Sequence, residues 1–376
     1  MLRSKFNNRF WLVALVFLTS KALVYFIMHL YGCETIWSNC FAHWDSGLYI
    51  SIAQEGRTLF DCNYPNNPQW CGNAGWSPLY PLLMRVIQEL TQTKIEVAGG
   101  IVAAFFYFLF LYYMARLMEL EKVNSNSLAT LYACAFFPGF IYLHAVFPLS
   151  LCLFLLAAFI YYLKRKEFLL CGFLAMLLTW SYASGQFILI AIFLYLLGIL
   201  IYEKKIAWKI GLKLILPSIL GLMILYFYDF WVTDHWNAMY LVQQKYKHGI
   251  YNTFDMIIDR FGILWSNIDN HTGIIQLQIF FVLILVFWFV ATTIRALYNN
   301  KMYKPELCFY LGIILAFWIL PFSMGLEISL YRGSILLAIL LILWKDKSLD
   351  FKLMLLISFA LFIIPMTAYF YKEWMI

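Results

Sequence analysis

The stretch Phe41-Ala42-His43-Trp44-Asp45-Ser46-Gly47-Leu48-Tyr49 carries the acidic side chain best placed for chemistry. A carboxylate at Asp45 can take a proton from an attacking hydroxyl, which is the work of a general base. His43 beside it can orient the carboxylate or meet an acceptor, and Trp44 can wall a pocket. The competing reading makes Asp45 the cap of a short interfacial helix, its oxygens spent on backbone N–H groups. A second group, Ala74-Gly75-Trp76-Ser77-Pro78-Leu79-Tyr80-Pro81-Leu82-Leu83-Met84-Arg85, has prolines and aromatics, Trp76 and Tyr80 among them, that can build a rigid wall. Its plainer reading is a loop resting on the bilayer surface, with Arg85 as an anchor. Lys21 lies inside an apolar run, where an ionisable group is expensive and marks either function or a buried pairing.

The absent motifs narrow the chemistry. The sequence has no GxxxxGK[ST] loop, no HExxH helix and no Asp-x-Asp pair, so neither a phosphate-binding loop nor a metal-held nucleotide sugar is suggested, and we expect no metal and no cofactor. A formal charge of +7 is spread between apolar runs and builds no basic face, which argues against nucleic acid.

The elements that must position these residues are membrane helices. With 64% hydrophobic and only 12% charged residues, the chain is no water-soluble globule. Apolar runs recur along nearly its whole length, and about 20 apolar residues suffice to cross a membrane. We expect one all-α polytopic domain over residues 1–376, with spans near 11–31, 97–118, 128–144, 147–163, 168–184, 186–202, 210–232, 274–298, 307–324, 328–344 and 351–371. The stretches 128–163 and 168–202 would each reach roughly 50 Å as single helices, so each is split, near Pro148 and near Ser181 to Gly185. The amino-terminal run lacks a signal-peptide cleavage site and reads as the first span.

Cationic clusters such as Lys164-Arg165-Lys166, Lys204-Lys205 and Lys345 with Lys347 then fall on one side, which the positive-inside rule makes cytoplasmic. Two polar segments, 32–95 and 233–273, face the other side as non-cytoplasmic loops. The first contains Cys33, Cys40, Cys62 and Cys71, an even set that implies two disulfides; Cys33 with Cys40 and Cys62 with Cys71 is the simplest of three connectivities. Zinc is the competing reading, weakened by the lack of a CxxC pair. Asn270-His271-Thr272 is a glycosylation sequon in the second loop.

A Trp-Asp pair just after the first span, followed by Trp76-Ser77-Pro78-Leu79-Tyr80-Pro81-Leu82-Leu83-Met84-Arg85 before the second, resembles the GT-C-fold glycosyltransferases that use polyprenyl-phosphate sugars. The nearest likeness is to the second mannosyltransferase of glycosylphosphatidylinositol (GPI) anchor assembly and its bacterial relatives. Ser20-Lys21, Phe137-Pro138, Asp234-His235-Trp236-Asn237-Ala238 with Gln243, and Ser329-Leu330-Tyr331-Arg332 extend the resemblance along most of the chain. Two positions depart from it. Leu149 stands where the family commonly has Glu, and Tyr182 stands where it has Arg.

The resemblance implies a GT-C-like bundle of about 11 helices that moves mannose from dolichyl or polyprenyl phosphate to a glycolipid. The site would face the lumen of the endoplasmic reticulum or the periplasmic side of a bacterial plasma membrane. Membrane lipids, the lipid-linked donor, the acceptor and a small membrane subunit are the implied partners. A phosphate leaving group needs no general acid, so Asp45 alone suffices as base and the anomeric centre inverts. Arg332, whose guanidinium fork suits phosphate, and Lys21 would hold the donor's phosphate. His43, Trp44, Trp76, Tyr80, His235, Trp236 and Gln243 would line the sugar pocket. The departures at Leu149 and Tyr182 keep open a non-catalytic scaffold of the same fold. A lipid or solute transporter is the reading of a different class, although the sequence shows few ionisable residues at mid-membrane.

Overall fold

The computed structural model describes residues 2–34, 39–64, 67–244, 251–252, 255, 258, 273–299, 302–324 and 327–372. The Asn270-His271-Thr272 sequon lies outside them. The described chain is almost wholly helical, as its hydropathy predicts, because a backbone in hydrocarbon must satisfy its N–H and C=O groups within the segment.

Seven helical stretches among the described residues are long and apolar enough to cross a membrane, as in a multi-pass membrane protein. They are Asn8–Leu30 within α1 (Leu2–Leu30), α4 (Ile95–Leu117), Ala183–Glu203, α9 (Trp208–Thr233), α11 (Gly273–Asn299), Lys304–Ser323 and Leu349–Tyr371. Ala183–Glu203 comprises a 3-10 turn and α8 (Ile188–Glu203). Lys304–Ser323 comprises α12 (Lys304–Ile314), a π-helical turn and α13 (Leu320–Ser323). Leu349–Tyr371 comprises α15 (Leu349–Ala360) and α16 (Ile363–Tyr371).

The remaining expected spans are shorter. Helix α6 (Leu149–Lys164) has 16 residues and α7 (Phe168–Ser181) has 14. The 128–144 segment becomes the 11-residue α5 (Ser125–Ala135) and a buried 3-10 turn at Phe140–Leu143. Eleven residues rise only about 16 Å. Near 328–344 lies α14 (Glu327–Gly333), which tightens into an 11-residue 3-10 helix at Ser334–Trp344.

Both expected breaks fall where the sequence puts them. Pro148 precedes α6, where its ring is compatible with a helix start. After α7 the chain turns at 183–187, and a Cβ on Gly185 would lie 2.0 Å from the Leu178 carbonyl oxygen, so that turn accepts only glycine. Packing proceeds α4 on α6, α6 on α7, α7 on α9 and α8 on α12.

The two ends of the bundle differ chemically. At one end Arg9 donates to the Leu120 carbonyl at 3.1 Å, Lys345 pairs with Glu119 at 3.4 Å, and Lys352 donates to Asn126 at 2.9 Å. Lys164 with Glu306, at 3.6 Å, ties the end of α6 to the first turn of α12. The opposite end holds both disulfides, Cys33–Cys40 and Cys62–Cys71, which is the simplest of the three connectivities. It also holds elements the hydropathy does not reveal. They are α2 (Ser46–Glu55), an antiparallel hairpin of β1 (Phe60–Tyr64) with β2 (Asn67–Cys71), and α3 (Leu79–Thr91). Helix α3 buries Tyr80, Pro81 and Met84 but exposes Leu82, Val86 and Leu90 beside Arg85 and Glu89, the pattern of a helix lying along an interface.

Candidate functional site

Asp45 occupies the cap position of α2, yet its side chain makes no capping hydrogen bond. The carboxylate points instead to Arg332, 287 residues away, and Arg332 Nη1 donates to Asp45 Oδ2. The side chain of Arg332 is 8% exposed and that of Asp45 28%, so the acid is the open partner of a largely dehydrated pair.

Several local features hold the two side chains there. Trp44 has φ 63°, a left-handed conformation that a bulky aromatic residue rarely adopts and that turns the chain at the site. The Phe41 carbonyl accepts from Val146 N at 2.8 Å and Cys33–Cys40 ties the segment to the end of α1. On the other side, Gln278 donates to the Tyr331 carbonyl at 2.9 Å. Gly139, with φ 91°, lies so close to this backbone that a Cβ would sit 2.9 Å from the Tyr331 oxygen and 3.1 Å from that of Arg332. The Phe137-Pro138 motif thus delivers a glycine against the backbone of Arg332.

Aromatic rings surround the pair. The guanidinium lies 5.7 Å from the Phe147 and Tyr331 ring centres, within cation–π range. Tyr142 donates to the Tyr331 hydroxyl at 3.4 Å and packs on Phe147 at 4.8 Å, and Tyr49 packs on Phe147 at 5.6 Å. Burial pushes the Tyr49 phenol well above its ordinary value; Tyr182 and Asp45 add to the shift and Arg332 opposes it. Tyr182, read from the sequence as a departure, therefore belongs to the neighbourhood of the ion pair. Trp44 Nε1 and Ser46 Oγ, on the residues either side of Asp45, are buried without a hydrogen-bond partner. Orphaned polar atoms of this kind are rare in folded chains and fit a site built for a hydroxyl-bearing ligand or water.

The other expected site residues divide. His43 packs its ring against Phe370 and Tyr371, at 5.4 and 6.2 Å. Trp76 is buried on the loop between β2 and α3. Gln243, in α10 (Ala238–Gln244), joins the second polar segment to that loop by donating to the Gly75 carbonyl at 3.2 Å. Tyr80 is fully buried, with its hydroxyl on the Gly99 carbonyl at 2.9 Å, so it supports Tyr49 from behind rather than lining a pocket. His235 packs on Trp70 at 4.7 Å and Trp236 is 64% exposed. No described contact joins either of them to Asp45.

Lys21 also stands apart from the pair. It lies close enough to His144 to act on it electrostatically, in a patch where Ser20 meets the Tyr107 hydroxyl at 2.8 Å and both His144 nitrogens are buried without partners. Leu149 is fully buried core.

One further ionic contact escaped the sequence reading. Arg57 pairs with Asp229 of α9 and donates to the Ala74 carbonyl, and both charged side chains are 0% exposed. Burial lowers the Arg57 pKa and Asp229 opposes that shift. An aspartate near the end of an apolar helix was the available signal. Asn73 completes this junction, accepting from Thr58 N at 2.7 Å and donating to Ser51 Oγ and the Gly56 carbonyl at 2.9 and 3.0 Å.

No protein-family model, curated protein or solved structure matches the chain. The reading of the site therefore rests on its geometry. Among the described residues no group of three or more His, Cys, Asp or Glu side chains is arranged to hold a metal ion. The arrangement offers one open carboxylate, one buried guanidinium and an aromatic shell. Together these suit proton acceptance, anion binding and ring stacking.

Proposed function

We propose that this protein is a membrane hexosyltransferase that moves a sugar, mannose by its motif resemblance, from a dolichyl or polyprenyl phosphate to a glycolipid acceptor. The observation that carries the reading is the Asp45 carboxylate, left free of helix capping and set against Arg332 inside an aromatic shell. A capping aspartate would have its oxygens on backbone N–H groups, and a surface ion pair would not be dehydrated.

In this reaction Asp45 takes the proton of the acceptor hydroxyl as the new bond to the anomeric carbon forms. The bond from that carbon to the phosphate oxygen breaks with its electron pair, and the anomeric configuration inverts. Arg332 stabilises the departing phosphate, and the ring faces around it hold the sugar. The bundle end that carries the site is assigned to the lumenal or periplasmic side, where a dolichyl- or polyprenyl-linked donor of this kind would present its sugar.

The test incubates the purified full-length protein with labelled dolichyl- or undecaprenyl-phosphate mannose and a panel of glycolipids. The wild type should transfer label, and Asp45→Asn should lose about 10²–10⁴-fold of that rate, the usual contribution of a positioned base. Full activity in Asp45→Asn sinks the assignment. Tight donor binding with no transfer by the wild type to any acceptor favours a non-catalytic binding scaffold.

A further inference from the structure

The carboxylate and the guanidinium that the transfer reaction needs are bonded to one another. While Arg332 holds Asp45, one of the carboxylate's oxygens is occupied and the positive charge available to a phosphate is largely neutralised. Neither group can do its full work in that state.

From this contact we infer that a polyprenyl phosphate exchanges for Asp45 on Arg332, so that donor binding releases the base and the donor enters before the acceptor. The inference rests on the transferase reading for its order of substrates. The exchange itself needs only the ion pair and an anionic ligand.

Three observations favour exchange over a fixed structural bridge. The two partners differ in exposure, 8% for Arg332 and 28% for Asp45, so the acid side of the pair is the one open to an incoming group. Arg332 is held from behind by Gln278, through the Tyr331 carbonyl, and by the close approach of Gly139. The Asp45 side chain spends no hydrogen bond on capping α2, so rotation about its own bonds can carry the carboxylate off Arg332 without disturbing the helix. The guanidinium is thus the fixed member and the carboxylate the one suited to swing. The donor's phosphodiester matches a carboxylate in charge and in free oxygens and fits the planar fork as well, and the monoester left after transfer carries more charge. Ser46 Oγ and Trp44 Nε1, on the two residues that flank Asp45 in sequence, are buried without a partner while the pair is closed.

Competition between Asp45 and phosphate is reciprocal by thermodynamic linkage. If phosphate displaces Asp45, then Asp45 weakens phosphate binding by the same factor, and removing its charge must tighten the complex. The experiment titrates a polyprenyl monophosphate into the full-length protein in phosphatidylcholine nanodiscs, with inorganic phosphate as a separate arm. Asp45→Asn and Asp45→Ala should each bind the lipid phosphate on the order of tenfold more tightly than wild type. Arg332→Gln should lose binding by at least a similar factor. Thermal melting of each variant confirms that it is folded.

Inorganic phosphate should compete with the lipid if the contact is to the phosphate group. Failure of that competition, or equal affinity of wild type and both Asp45 variants, overturns the exchange. The two readings separate cleanly. Label transfer by wild type with unchanged affinity in the Asp45 variants removes the exchange and leaves the transferase. Tighter binding in those variants with no transfer by wild type removes the transferase and leaves an anion-operated switch.

Discussion

Aspartate 45 shows how one residue can satisfy a local rule and a distant one with different atoms. Its backbone carbonyl begins the hydrogen bonding of α2 by accepting from Leu48 and Tyr49 N, at 3.0 and 3.1 Å, while its side chain serves Arg332. Glycine 139 is the less visible partner in this arrangement. Replacing it by Ala would force a Cβ into the Tyr331 and Arg332 carbonyls at a left-handed position. We expect Gly139→Ala to destabilise the fold by roughly 1–3 kcal/mol and to displace Arg332. Thermal melting and lipid-phosphate affinity should fall together; a variant that melts and binds as wild type does would show that the backbone yields there without consequence. Sequence alone gave Asp45 even claims as base and as cap, because both roles favour aspartate just before a helix.

At the scale of elements, α2 buries Tyr49, Ile52 and Ala53 in the core, and the linker after it is tied to the bundle by a buried ion pair. Arg57 reaches into the end of α9 to meet Asp229, with both side chains sealed from solvent. Breaking a buried pair leaves one charge unmatched, which costs about 3–5 kcal/mol, so Asp229→Ala should be strongly destabilising. The double variant Arg57→Met with Asp229→Leu should recover most of that loss, since a well-packed apolar pair avoids desolvation altogether. Chemical denaturation of the three variants measures it. Equal losses in the single and double variants would show that the shape of the junction, not its charge, matters.

The Cys62–Cys71 bridge acts on the β1–β2 hairpin. Closing so short a loop is worth about 2–3 kcal/mol in the chain-entropy account, so Cys62→Ser with Cys71→Ser should loosen the hairpin and make it a protease target before the bundle unfolds. Limited proteolysis reads this out; equal cleavage with and without the bridge speaks against it. The hairpin went unread in the sequence. Phe60-Asp61-Cys62-Asn63-Tyr64 alternates apolar and polar residues, but Asn67-Pro68-Gln69-Trp70-Cys71 does not, and its proline argues against a strand.

Over the whole molecule, the ionic contacts that link Arg9, Glu119, Asn126, Lys345 and Lys352 gather the cationic connectors at one end. If the positive-inside rule orients this bundle, a cysteine introduced at Gln54 in α2 should react with a membrane-impermeant thiol reagent in intact cells. One at Lys166, in the opposite connector, should react only after permeabilisation. The reverse pattern would put Asp45 in the cytosol and end the lumenal reading. The helix count was less legible than the hydropathy suggested. Residues 128–144 are apolar enough to span, yet they break at Phe136 and continue as a buried 3-10 turn that sets Gly139 and Tyr142 beside Arg332.

The amino-acid sequence by itself determined the membrane-embedded helical character, the breaks at Pro148 and at Ser181 to Gly185, and the cysteine set of the first polar segment. These follow from hydropathy, from ring and Cβ sterics and from the number and placement of thiols, all of which act between near neighbours in the chain. Only the tertiary structure decided that Asp45 meets Arg332 across 287 residues and Arg57 meets Asp229 across 172, or that Tyr182 joins the first pair while Lys21 does not. Partners so distant are selected by how the helices pack, and hydropathy assigns every charged side chain in an apolar chain the same penalty without saying which opposite charge will relieve it.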